Sequence, residues 1–242
     1  MMAAGPESGL LCLPTENLVS IYGSCGDMRD AQSLGATCRR LQGVLAAHEN
    51  VIARAHILRA LGPSDFRLGV MAVASRGVDP RDRGAIEQFL ARYLQRPAAD
   101  WPASNFSSEV AVALPRLIRA ADALADCAFH WFTKTALHVS PTEHARKVRT
   151  AFMIETAANL FYRVLDGSGS GGCNTATTLL WRAPFTDLET AFWEAFSFGE
   201  IWQAYEMRNP LASFVSEGEC QVFREGPVLR CVARTFSNGF AK

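Results

Sequence analysis

Apolar residues in the first sixty positions fall into three successive stripes at helical spacing. Leu18, Ile21, Tyr22 and Cys25 form the first, with Pro14 suited to the first helical position and Glu16 in the first turn. Gly26 ends this helix, and Asp27 has the chemistry of an N-cap for the next. Ala31, Leu34, Cys38, Leu41 and Leu45 then alternate steps of three and four, which predicts one continuous second helix. Val51, Ile52, Ala55 and Leu58 mark a third. Three short amphipathic helices bury little surface alone, so their remaining apolar faces need the rest of the chain or a partner.

The pattern stays helical further on. Phe66, Leu68, Val70, Met71 and Val73 form a weakly punctuated stretch interrupted by Gly69. Asp79-Pro80 predicts a cap and first position for a helix carrying Ile86, Phe89, Leu90, Tyr93 and Leu94, ended by Pro97. The polar stretch 97–108 reads as a loop and a candidate boundary, with Trp101 and Phe106 pinning it to a core. Ser108 can cap a long helix that Pro115 should kink or restart. Ser140-Pro141-Thr142-Glu143 is a capping box opening a helix to about Leu165. That helix is apolar on more than one face, the mark of a central element. Thr186-Asp187-Leu188-Glu189 predicts another helix, running to Asn209-Pro210. Seven aromatics lie between Pro184 and Tyr205, and most are expected in the core. The tail from Glu219 has two short β-like runs around Glu-Gly-Pro, compatible with a hairpin or a loose chain.

Composition narrows the class. The 242 residues are 49% hydrophobic and 20% charged, an ordinary globular balance. With 24 basic and 24 acidic residues the net charge is zero, so no global field attracts nucleic acid or an anionic membrane. No apolar run approaches the length of a membrane span. Seven scattered cysteines without a Cys-x-x-Cys pair, after a start lacking a signal-peptide pattern, predict buried free thiols. The expected location is the cytoplasm and/or the nucleus.

Candidate chemistry is sparse. His130, His138 and His144 with Glu143 match no zinc spacing, so no metal site is expected. The Gly/Ser-rich stretch 166–175 lacks the Lys-Ser/Thr of a phosphate loop. Cys173 within it is a reactive thiol only if positive charge or a helix start lowers its pKa. No catalytic residue and no cofactor is expected.

One ordered set of residues is more specific. Leu13-Pro14-x-Glu16-x-Leu18-x-x-Ile21, followed by Leu34-x-x-Thr37-Cys38-Arg39-Arg40-Leu41, resembles an F-box, in a form similar to the F-box-like proteins of filamentous fungi. The resemblance spans roughly residues 12 to 57. It implies a three-helix motif that binds the Skp-family adaptor of cullin–RING ubiquitin ligases. Leu13, Pro14, Leu18, Ile21, Leu34, Cys38 and Leu41 fall on the family's interface and core pattern. Cys25, Ala31 and Leu41 depart from it toward smaller side chains, which implies weaker adaptor affinity. The bland alternative is the first helical hairpin of a globular core.

The fold expected is therefore mostly α, an N-terminal three-helix F-box followed by a C-terminal α-helical domain. The divisions are a disordered 1–11, an F-box-like 12–60, a helical target-binding 61–217, and the tail 218–242. The resemblance implies a non-catalytic substrate receptor bridging adaptor and target. Two rivals are a non-degradative scaffold, and a helical enzyme or small-ligand binder built around the aromatic stretch 185–205.

Overall fold

The computed structural model describes residues 9–133, 140–165, 179–182 and 184–216. The described chain is mostly helical, with one two-stranded antiparallel ribbon. It divides into two compact units, one of Met1–Phe66 with Trp101–Pro115, the other of Arg67–Asp100 with Arg116–Lys242. The expected hairpin of the tail and most of the expected disordered N-terminus lie outside the described residues. Within 1–11, Gly9 onward is described, and Gly9–Cys12 is a short 3₁₀ turn.

In the first unit, α1 (Thr15–Ser24) follows Pro14, whose carbonyl accepts the first helical bonds from Asn17 and Leu18. Proline thus stands at the N-cap rather than at the first helical position. Asp27 caps α2 (Met28–Gly35), accepting from the Arg29 and Asp30 amides while Asp30 bonds back to the Asp27 amide. The expected long second helix is two: α2 ends at Ala36, and α3 (Arg39–Ala47) starts after an extended Cys38. A stripe with steps of three and four continues across the turn because both helices face the same core, so periodicity alone hides the break.

Helix α4 (Glu49–Ala74) is interrupted at Gly62, with φ 72° and ψ 175°, followed by Pro63. Proline opens the second segment, and only glycine occupies that φ/ψ region readily. The buried face of α4 here is Ile52, Ala53, His56 and Ile57. The expected stripe is corrected at two positions, since Val51 is 57% exposed and Ala55 is also exposed. Trp101 and Phe106 bury in this unit's core beside Phe66, with centroids 5.9 and 6.2 Å from its ring. They fold through two 3₁₀ turns, Ala98–Asp100 and Ala103–Asn105.

In the second unit, α5 (Arg83–Tyr93) starts a turn later than expected. Asp79 accepts from the Arg81 amide in the preceding turn, and Asp82 caps the helix through the Ala85 amide. Helix α6 (Ser108–Thr133), whose residues up to Pro115 belong to the first unit, runs through Pro115 as one helix, and Ser107 rather than Ser108 caps it, through the Val110 amide. Helix α7 (Pro141–Phe161) is central as expected: residues 150–158 are all buried. Ser140 caps it. It ends at Phe161 rather than Leu165, because Tyr162–Leu165 is strand β1, paired antiparallel with β2 (Leu179–Arg182) in the register Tyr162↔Arg182. Aromatic and β-branched side chains in this stretch favour a pleat over a helix turn.

The expected single late helix is also two, α8 (Thr186–Glu194) and α9 (Phe198–Ser216). Thr186 is the first helical residue and not the cap. The working capping box is Ser197-Phe-Gly-Glu200, whose side chains and amides bond reciprocally. Asn209-Pro210 does not stop α9.

Candidate functional site

The two halves of the N-terminal sequence motif come together in the first unit. Arg40, on α3, donates from its guanidinium to the carbonyls of Leu11 and Leu13, the latter at 2.9 Å. Tyr22, fully buried on α1, donates from its hydroxyl to the Leu41 carbonyl at 2.9 Å. Helices α1, α2 and α3 each contact one another. At Gly35 an added Cβ would come within 2.7 Å of Leu45 Cδ2, so glycine sets the approach of α2 to α3. Helix α4 closes the unit through His56, whose Nε2 lies 3.0 Å from the Tyr22 carbonyl. Arg59 donates to the Cys25 carbonyl at 2.6 Å, capping the end of α1.

The motif residues divide by burial. Leu18 and Leu41 are core, at 1% and 2% exposure. Leu13, Ile21, Leu34 and Cys38 are half-buried, and Pro14 is exposed. The half-buried and exposed members can meet a partner without unfolding the unit, whereas Leu18 and Leu41 hold it together. Cys12 is exposed and Cys25 and Cys38 half-buried, so these thiols are less enclosed than expected. Burial pushes the Cys25 thiol up, away from the thiolate.

Burial likewise holds the His56 imidazole below its ordinary range, against the hydrogen bond to the Tyr22 carbonyl. A neutral imidazole that donates from Nε2 satisfies that carbonyl.

A second candidate lies in the second unit. Helices α7, α8 and α9 enclose a half-open, largely apolar cavity of about 370 Å³. Ile154 and Ala157 come from α7, Trp193 from α8, and Ile201 and Ala204 from α9. Its buried polar feature is Glu189, which accepts a 2.8 Å hydrogen bond from the Tyr162 hydroxyl. Of the seven late aromatics Phe192 alone is buried, contrary to the expectation that most are core, and three beside the cavity are exposed: Phe198 at 80%, Trp202 at 52% and Tyr205 at 51%. Sequence reasoning missed them because it ran one helix through residues 186–209. The break at Ser197 resets the helical phase, so the face shared by 198, 202 and 205 no longer continues the apolar stripe of α8, while Ala204 and Met207 turn inward.

His144 lies 3.4 Å from Asp126, the side chain of His130 and all of His138 lie outside the described residues, and so does Cys173. Among the described residues no three His, Cys, Asp or Glu side chains are grouped to hold a metal. No described helix is long and apolar enough to cross a membrane.

Compared with protein-family models, curated proteins and solved structures, the chain matches none.

Proposed function

We propose that this chain is a substrate receptor of the Skp–cullin–F-box type, docking a Skp-family adaptor through its first unit and presenting a target through its second. The supporting observation is that Arg40 of the Thr-Cys-Arg-Arg-Leu segment grips the carbonyls of Leu11 and Leu13, which brings the Leu-Pro half of the motif onto α3. Pro14, Ile21, Leu34 and Cys38 then remain available to a partner. The chain performs no covalent chemistry in this role. It raises the effective concentration of the target near the conjugating machinery, and proximity supplies the rate.

The test is co-expression of the full chain with a Skp-family adaptor, followed by affinity capture. A stoichiometric complex that also recruits a cullin supports the receptor. A complex with adaptor but no cullin makes the chain a non-degradative scaffold. Indifference to the adaptor overturns both.

A further inference from the structure

The face of α9 that carries Phe198, Trp202 and Tyr205 forms a continuous aromatic ladder. The Phe198 and Trp202 rings stack at 6.4 Å, and Trp202 and Tyr205 follow at 5.8 Å. Three large aromatics on one exposed helix face are unusual in a protein without an interface there, and Trp and Tyr dominate binding hot spots. The ladder does not end in solvent. Tyr205 also lines the apolar cavity of about 370 Å³, so ladder and cavity make one surface. That volume lies within the ~300–1,000 Å³ range of ligand clefts and admits a bulky side chain.

Two carboxylates edge this surface. Glu194 lines the cavity and is exposed. Glu206 accepts a hydrogen bond from the Trp202 indole N–H at 2.9 Å, which fixes that ring on the ladder. Neither carboxylate has an ion-pair partner among the described residues, whereas Glu200 on the same helix is paired with Arg149 at 2.9 Å. An apolar ladder edged by two carboxylates that no described cation pairs complements a segment that is both apolar and basic.

We propose that this surface of α8 and α9 docks a short segment of another protein, with a bulky apolar anchor in the cavity and Lys or Arg beside it facing Glu194 and Glu206. The proposal adopts the receptor reading only in calling that protein the target, and its test needs no adaptor. The immobilised full-length chain is used to select binders from a random peptide library. Affinities of the selected peptides are then measured against the chain and against Trp202→Ala and Glu206→Lys. Both positions are at the surface, and circular dichroism checks that each variant is folded.

Enriched peptides should carry a large apolar residue close to Lys or Arg. Each variant should weaken them about tenfold or more, a typical hot-spot loss. Four results overturn the proposal: no enrichment, peptides without basic residues, equal binding by the variants, or a concentration-dependent dimer of the chain that Trp202→Ala dissociates. The last would mean that a second copy covers the ladder. Loss of peptide binding with adaptor binding intact counts against this surface alone; the reverse counts against the receptor reading alone.

Discussion

Three residues carry energetics that substitution can isolate. Gly62 has open space where a Cβ would stand, so replacing it costs backbone strain and nothing else. With φ at 72° and ψ at 175°, Gly62→Ala should destabilise the fold by about 1–3 kcal/mol, measured by urea unfolding. His56 and Glu155 titrate in opposite senses. Burial lowers the folded pKa of His56, so below the ordinary histidine value of 6.5 the unfolded chain binds the extra proton first. Stability is full above that pH and falls as acidification proceeds toward the folded value. Burial raises the carboxyl of Glu155, 1% exposed on α7, despite the Arg76 guanidinium 3.0 Å away. Here the folded chain holds the proton longer, so stability declines as pH rises above the ordinary glutamate value of 4.5. Thermal unfolding across pH should show both. His56→Gln flattens the loss below 6.5, and Glu155→Gln flattens the loss above 4.5. If either variant merely shifts the whole curve in parallel, that group is not the one titrating.

At the scale of elements, helix starts are set by side-chain caps, and two deserve direct measurement. Asp27→Ala removes the acceptor of two amides at α2, and Ser197→Ala removes half of the box at α9. Each should cost about 1 kcal/mol, with the loss at Ser197 read most clearly by hydrogen exchange in the first turn of α9. Much of the element order was legible from such signals. Asp27 and Ser140 mark true starts, and the apolar residues on more than one face of 148–164 marked α7 as central. What stayed hidden has a common cause. Cys38 and Ser197 break helices within stripes that keep helical spacing on both sides, so the apolar pattern alone runs through them. The strand at Tyr162 depends on pairing with Leu179–Arg182, residues 14 to 20 positions further along the chain, a distance over which local propensity says nothing. In the first unit the motif positions were readable, but their division into core (Leu18, Leu41) and accessible (Pro14, Ile21, Leu34) was not. Burial depends on how α1, α2 and α3 meet, which Gly35 and Arg40 govern through tertiary contacts.

For the whole molecule, the chain divides into two compact units, and the burial pattern decides how the proposed docking through the first is tested. Leu18→Asp places a charge in the core and reports on folding alone. Ile21→Asp and Leu34→Asp alter half-buried positions, so they probe docking with the fold kept. The most direct measurement is the affinity of the purified full-length chain for a Skp-family adaptor, by calorimetry, with these two variants alongside. The receptor account predicts a one-to-one complex that each variant weakens about tenfold or more while its circular dichroism is unchanged. A chain that is soluble and monomeric and shows no heat of binding to the adaptor would contradict it, and the Leu-Pro and Thr-Cys-Arg-Arg-Leu pattern would then be only the first helices of a core.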